Sequence, residues 1–205
     1  MRMPPLPNPS TPLTPDRIAA GAVGDRPIDV PLSAITIMPY DPAWPALYTA
    51  ERSRILTALG TRALAIEHVG STAVPGLSAK NRLDIDLIVT DPTDEVAYVP
   101  VLEAAGYALR TREPDWYQHR CLWNQGHTVN LHVFGPDCDE HLRHLIFRDW
   151  LRTHPDDRDF YEAEKRRAAA DSPWSMSAYN TQKATSIIEV LRRAGLRPQS
   201  AGAPS

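Results

Sequence analysis

Two aspartates separated by one residue, Asp84 and Asp86, are the residues of this sequence best suited to metal-assisted chemistry. They lie in an apolar run over 83–89 that is typical of a buried strand, and side chains two residues apart on a strand point to the same face. Two neighbouring carboxylates repel each other unless a cation lies between them. Mg²⁺ suits this position because it prefers oxygen ligands and keeps sites open for phosphate oxygens. The alternative is that both aspartates lie on the solvated face of an edge strand.

Gly70 and Ser71 precede the aspartates and follow a predicted strand over 63–69. A glycine lets the main chain approach a ligand closely, and backbone amides with a serine hydroxyl suit a triphosphate. We therefore expect Gly70 and Ser71 to bind phosphate, while Asp84 and Asp86 hold a metal that neutralises phosphate charge and orients an attacking oxygen. Lys80 lies in the connecting loop, where it can meet a phosphate as a point charge or remain exposed.

The elements that must position these residues follow from the periodicity of apolar residues. Helices are predicted from Asp41 to Gly60, over 94–105, and over 142–150, 160–170 and 179–194. Strands are predicted over 63–69, 83–89, 107–112, 118–123 and 128–134. This order predicts an α+β fold, in which a mixed sheet has flanking helices and is followed by a helical C-terminal part.

Proline is concentrated at the N-terminus, where 8 of the 20 prolines fall within the first 31 residues. Because proline lacks an amide donor, this density disfavours a regular helix or ladder. We expect a disordered proline-rich tail over 1–30, one domain over 31–195, and a second disordered tail over 196–205.

The bulk composition is ordinary for a soluble globular protein, with 42% hydrophobic and 23% charged residues and a net charge of −3. This charge gives no strong signal for nucleic acid. Two cysteines are too few for a disulfide scaffold. No signal peptide or membrane-spanning run is visible, so a cytoplasmic protein with no membrane association is expected.

The sequence around Gly70 and the aspartates resembles the signature of the DNA polymerase β-like nucleotidyltransferase superfamily, in which Gly-Ser is followed after 12 residues by Asp-x-Asp. Within that superfamily the chain resembles the GrpB-like family from about residue 35 to 192. The matching stretches are 39–44, 66–77 with Lys80, 130–134, 147–151, and Tyr161 with Lys165.

The resemblance implies a nucleotidyltransferase-like mixed sheet and Mg²⁺-dependent transfer of a nucleotidyl group from a nucleoside triphosphate, with Mn²⁺ as an alternative ion. The acceptor is a small molecule or a macromolecule that the family does not define. Many members of the superfamily use a third carboxylate on a later strand. The matching strand here has Asn130 and His132 instead. His132 can take the proton of an attacking hydroxyl, or it can be a packing histidine.

Two pairs with i, i+4 spacing place a tyrosine ring and an ammonium on one helical face: Tyr161 with Lys165, and Tyr179 with Lys183. Such a pair suits stacking of a base and contact with a phosphate, and it suits simple packing equally well. We interpret Tyr161 as a packing residue, and Tyr179 and Lys183 as nucleotide-binding residues.

Two further groups of polar residues have less specific patterns. Arg112, Glu113, His119 and Arg120 flank two aromatic residues, and this arrangement is typical of a solvated hairpin, with contact to an acceptor as the alternative. His141 and His144 lack an obvious third metal ligand and are interpreted as surface histidines.

Three functions remain open from the sequence. The first is the nucleotidyltransferase described above. The second is a non-catalytic nucleotide-binding or regulatory module with a degenerate site, which the missing third carboxylate favours. The third is ligase-like condensation in the same site.

Overall fold

The computed structural model describes residues 2–7, 19–24, 31 and 33–199. One mixed sheet of five strands forms its centre: β1 Ala65–Val69, β2 Leu83–Ile88, β3 Tyr107–Glu113, β4 His119–Asn124 and β5 Val129–Phe134. The spatial order is β1-β2-β5-β4-β3, and only the pair of β2 and β5 is parallel in this sheet. The predicted α+β fold with a mixed sheet is confirmed.

Five helices of the described residues surround the sheet: α1 Trp44–Leu59, α2 Glu95–Ala104, α3 Asp139–Thr153, α4 Pro155–Asp171 and α5 Met176–Arg193. Local chemistry sets their ends. Gly60 ends α1 with a positive φ of 57°, which favours glycine. The hydroxyl of Ser175 caps α5 by accepting from the amide of Ala178. No helix in the described ranges is long and apolar enough to cross a membrane, while the cytoplasmic location stays a prediction.

The main hydrophobic core lies on one face of the sheet, between the strands and helices α1 and α2. Ile85 and Leu87 of β2 are both fully buried there. Because side chains alternate along a strand, the aspartates that flank Ile85 point to the opposite face. Helix α3 supplies His141 and His144, which meet Asp86 on that face.

The described parts of the predicted tails pack against the domain, which corrects the expectation of disorder for those residues. Leu6 is 8% exposed and Leu196 is 1% exposed in a second apolar cluster with α3 to α5. The amide of Leu6 donates to the carbonyl oxygen of Arg197 at 2.9 Å, and Ala22 pairs with Thr111 on the free edge of β3. Apolar burial at these few positions outweighs the low propensity of the proline-rich segment. The remaining residues of 1–30 and 200–205 lie outside the described residues.

Replacing Leu6 by Ala tests whether this terminal segment contributes to stability. We expect the free energy of unfolding to fall by about 2 kcal/mol, since a buried leucine side chain leaves a cavity. Met3→Ala is the matched control because Met3 is 53% exposed, and its effect should stay within about 0.5 kcal/mol. Urea denaturation measures both values, and equal effects of the two substitutions would contradict the packing.

Candidate functional site

Neighbouring strands place four polar side chains together on the face that carries Asp84 and Asp86. In the register of β2 with the parallel strand β5, Asp84 lies beside Asn130 and Asp86 beside His132. Residues that are directly paired across a sheet point to the same side. The predicted strand over 128–134 with Asn130 and His132 is confirmed, and the structure places it beside the aspartates.

Gly70 is required by its distance from Asp84. Its φ is +69°, and a Cβ at this position would lie 2.6 Å from Oδ2 of Asp84. The turn after β1 can thus approach the carboxylate only without a side chain. This contact brings Ser71, the next residue, to the same edge of the site.

Asp84 is the accessible carboxylate of the pair. Its side chain is 35% exposed, and Oδ1 accepts a hydrogen bond from Nδ2 of Asn130 at 2.7 Å. Nε2 of His132 lies 3.7 Å from the same oxygen. Burial raises the pKa of Asp84, but His132 and Asn130 outweigh it and hold that pKa well below its usual range. Asp84 is therefore an anion at neutral pH.

Asp86 is enclosed by two histidines of α3. Its side chain is 0% exposed, and Oδ2 lies 2.8 Å from Nδ1 of His141 and 2.9 Å from Nδ1 of His144. Burial raises the pKa of Asp86, but the two imidazoles hold that pKa well below its usual range. The interpretation of His141 and His144 as surface histidines is wrong, because their i, i+3 spacing turns both rings toward this carboxylate.

The two aspartates differ in how well they fit a divalent cation. The exposed surface of Asp84 leaves room for an ion, and its oxygens are hard ligands. Asp86 can join the same ion only if its contacts with His141 and His144 open. Among residues 2–7, 19–24, 31 and 33–199, no group of three or more His, Cys, Asp and Glu side chains is arranged to hold a metal. The residues present thus fit a cation at Asp84, completed by other ligands.

The three lysines of the chain, Lys80, Lys165 and Lys183, lie close enough to influence one another's charge, and Lys165 contacts Ser71. Lys165 is 1% exposed, and its Nζ donates to Oγ of Ser71 at 3.0 Å and to the carbonyl oxygen of Ser78. Nζ of Lys80 and Nζ of Lys183 lie 4.9 Å and 5.2 Å from the centre of the Tyr179 ring. Within the described part of the chain, no carboxylate oxygen lies within 4.0 Å of these ammonium groups.

The pKa values of two lysines reflect their burial and the charge of their neighbours. Burial and the positive charge of Lys183 lower the pKa of Lys80 to about 7 and that of Lys165 to about 7. Charged groups without counter-ions are costly to bury, so such a cluster is a candidate for binding an anion.

The two tyrosine–lysine pairs differ from what their spacing predicts. Tyr179 is 1% exposed and has an ammonium over its ring, so it supports Lys80 and Lys183 and cannot offer an open face to a base. Lys165 received no role from the sequence, and its Nζ lies 4.9 Å from the ring centre of Tyr161. The same Nζ reaches Ser71, however, which places Lys165 in the site.

His68 supports the Ser71 turn from the opposite side of the sheet. Its Nε2 lies 3.0 Å from Oγ1 of Thr72, and its ring stacks on Tyr48 at 4.7 Å. Both rings line a cavity of about 400 Å³ with Arg148 and Arg152. None of the two aspartates and three lysines lines this cavity, so it is separate from the site. Burial lowers the pKa of His68 to about 4, and the ring is neutral at pH 7.

The sequence model of the GrpB protein family matches residues 34–193, which is most of the chain. This chain belongs to the GrpB family. A UPF0157 protein of Halalkalibacterium halodurans is 45% identical over 94% of this chain and 98% of its own length. The crystal structure of GrpB from Enterococcus faecalis has a TM-score of 0.68 and 28% identity, over 77% of this chain and 98% of that one.

Part of a longer protein is also similar to this GrpB chain. A protein named dephospho-CoA kinase from Mycolicibacterium paratuberculosis is 32% identical over 78% of this chain but only 46% of its own length. The likeness therefore concerns less than half of that protein, and the activity in its name is not transferred to this chain.

Replacing Gly70 by Ala tests the close approach to Asp84. The new Cβ would displace the carboxylate from Asn130, and a positive φ is strained for alanine. We expect the free energy of unfolding to fall by about 1–3 kcal/mol. Gly126→Ala is the control, because its Cβ would meet the nearest atoms only at 3.8 Å. Urea denaturation of both variants measures the two effects. A Gly70→Ala variant with an unchanged free energy of unfolding would show that the turn tolerates a side chain.

The buried neutral form of His68 predicts a pH dependence. The unfolded chain binds a proton on this histidine below about pH 6.5, whereas the folded protein does so only below about pH 4. The free energy of unfolding should therefore fall by up to about 3 kcal/mol between these pH values. His68→Gln should reduce this slope in denaturation series at pH 4 to 7. An unchanged slope would mean that other groups cause it.

Proposed function

We propose that this GrpB-family chain binds a nucleoside triphosphate and transfers its nucleotidyl group to an acceptor with the help of a divalent cation. The resemblance of the Gly70–Asp86 segment to nucleotidyltransferases supports this function. The strand geometry is consistent with it, since the Gly-Ser turn and Asp84 lie side by side. Mg²⁺ is the proposed ion and Mn²⁺ the alternative.

The convergence of all three lysines carries the proposal. The chain's 22 basic residues comprise these three lysines and 19 arginines, many of which pair with carboxylates. The lysines are instead held by hydroxyl, carbonyl and ring contacts, and no carboxylate of the described residues is in contact with them. A triphosphate supplies several negative charges and oxygen acceptors in one ligand. Its binding would oppose the two effects that lower the pKa of Lys80 and Lys165, which are burial and the positive charge of Lys183.

The roles of the other residues follow from their positions. The backbone of Gly70 and the hydroxyl of Ser71 would contact phosphate together with Lys165. Asp84 would hold the cation, which supplies charge neutralisation for the phosphates.

We assign the proton of the acceptor to His132, because its Nε2 faces Asp84 at 3.7 Å where related sites use a third carboxylate. Burial lowers the pKa of His132, but Cys121 and Asp84 outweigh it and raise that pKa well above its usual value. A cation on Asp84 would oppose the effect of this carboxylate and favour the neutral imidazole that can accept a proton.

A second candidate is a non-catalytic nucleotide-binding module. The enclosure of Asp86 by His141 and His144 favours it, because only one of the two carboxylates is then open to a cation. Both candidates require triphosphate binding at the lysines. They differ in whether pyrophosphate is released when acceptors are supplied with Mg²⁺ or Mn²⁺, so a pyrophosphate assay over a broad acceptor panel separates them.

Lys80→Met tests the binding site and distinguishes it from a structural role. Removal of a half-buried charge without a carboxylate partner should raise the free energy of unfolding of the ligand-free protein by about 1 kcal/mol or more. The same change should weaken triphosphate binding by about tenfold or more, because a charge-assisted contact is lost. Urea denaturation measures the first effect, and calorimetric titration with ATP, GTP, CTP and UTP measures the second.

Arg167→Met is the matched control, since Arg167 is exposed and paired with Glu164 on the outer side of α4. It should change neither quantity by much. If Lys80→Met destabilised the protein and left triphosphate binding unchanged, Lys80 would be a structural residue. If the unsubstituted protein bound none of the four triphosphates, the proposed function itself would be wrong.

A further inference from the structure

Two side chains, Glu113 at the end of β3 and His119 at the start of β4, link in series to His132. Oε2 of Glu113 lies 2.7 Å from Nδ1 of His119, and Nε2 of His119 lies 3.0 Å from Nδ1 of His132. On the far side of the His132 ring, Nε2 faces Oδ1 of Asp84 at 3.7 Å. The first two distances are those of hydrogen bonds. The third, between His132 and Asp84, is a longer ionic contact.

The ring of His119, in the middle of this series, cannot change its orientation freely. His119 is 4% exposed. Its ring stacks on Phe134 at 4.9 Å, and Trp116 meets it edge-on at 5.1 Å. A flipped ring would lose both hydrogen bonds in a site closed to water, which is costly. The interpretation of Glu113 and His119 as part of a solvated hairpin is therefore wrong for these two side chains.

The carboxylate of Glu113, at the end of this series of hydrogen bonds, determines which nitrogens of the two histidines carry a hydrogen. A carboxylate only accepts hydrogen bonds, so Nδ1 of His119 donates to Glu113. Burial lowers the pKa of His119, although Glu113 opposes this, and the ring is neutral with an unprotonated Nε2. That nitrogen must accept, so Nδ1 of His132 donates to it. The hydrogen of His132 Nδ1 is thus held whether or not Nε2 also carries one.

We propose that Glu113 and His119 are positioning residues of the site, which fix the orientation of the His132 ring. They hold Nδ1 of His132 protonated and hydrogen-bonded to His119, so that Nε2 is the ring nitrogen that faces Asp84. This inference rests on the proposed function for its catalytic meaning, because Nε2 is then the atom that exchanges a proton with an acceptor hydroxyl. Neither Glu113 nor His119 touches Asp84 through any hydrogen bond of the described residues. Both act through His132, as second partners of active-site histidines do elsewhere.

Nuclear magnetic resonance of protein with ¹⁵N-labelled histidine tests this arrangement directly. We expect hydrogen-bonded, slowly exchanging N–H protons on Nδ1 of His119 and on Nδ1 of His132. Glu113→Ala removes the terminal acceptor, so His119 can carry its hydrogen on Nε2 and donate it to Nδ1 of His132. The neutral form of His132 should then carry its own hydrogen on Nε2 and not on Nδ1. Glu113→Gln keeps an oxygen acceptor and should restore the original pattern.

Two further variants make the result independent of folding and of surface charge. His119→Phe preserves the aromatic packing and removes both hydrogen bonds, so the protected Nδ1 proton of His132 should disappear. Asp115→Asn removes another carboxylate from the same turn and should leave both histidines unchanged. If His119→Phe fails to fold, as judged by its unfolding transition, the comparison of Glu113→Ala with Glu113→Gln remains decisive.

The outcome separates this inference from the proposed function. The absence of a hydrogen-bonded proton from Nδ1 of His132 in the unsubstituted protein, or an Nδ1 proton of His132 that is unaffected by Glu113→Ala, would overturn the positioning role, whatever the enzyme does. If the spectra agree and pyrophosphate release is measurable, Glu113→Ala should lower kcat by about tenfold or more and leave KM for the triphosphate unchanged. If the spectra show the expected hydrogens but no pyrophosphate is released, the positioning role stands and only the proposed nucleotidyl transfer is contradicted.

Discussion

Two ionised carboxylates on one face of β2 impose the constraint that shapes the surrounding elements. Asp84 and Asp86 are held as anions in a largely enclosed site, which is costly unless each is compensated. Strand β5 supplies Asn130 and His132 to Asp84, and α3 supplies His141 and His144 to Asp86. The turn after β1 adapts to the same carboxylate by using a glycine where a Cβ would collide with it.

The charges of the site are unevenly compensated by neighbouring residues, and this distribution suggests a bound ligand that carries charges of both signs. Asp86 is fully satisfied by two imidazoles, whereas Asp84 keeps an exposed surface. Beyond Ser71 the balance reverses, because three ammonium groups lie together without a carboxylate in contact among the described residues. A cation bound to a polyanion would compensate both ends together, with the cation beside Asp84 and the phosphates beside the lysines. A nucleoside triphosphate with a divalent cation has this distribution of charge.

Much of this arrangement follows from the sequence because it depends on short-range periodicity. The alternation of Leu83 to Val89 fixes the common face of Asp84 and Asp86, and the strand over 128–134 identifies Asn130 and His132. The roles of His119, His141 and Lys165 could not be read in the same way. Each depends on how a helix or hairpin distant in sequence packs against β2. The i, i+3 spacing of His141 and His144 is compatible with a surface helix as much as with a clamp on a carboxylate. Leu6 was missed for a related reason, since one buried leucine overrides the proline-rich composition around it.

A crystal structure of the protein with a non-hydrolysable nucleoside triphosphate analogue and Mg²⁺ or Mn²⁺ tests the central claim most directly. We expect phosphate oxygens at hydrogen-bond distance, about 2.7–3.2 Å, from Nζ of Lys80, Lys165 and Lys183, and the cation on Asp84. A triphosphate bound elsewhere, or one whose phosphates contact none of the three lysines, would contradict the charge complementarity that we propose.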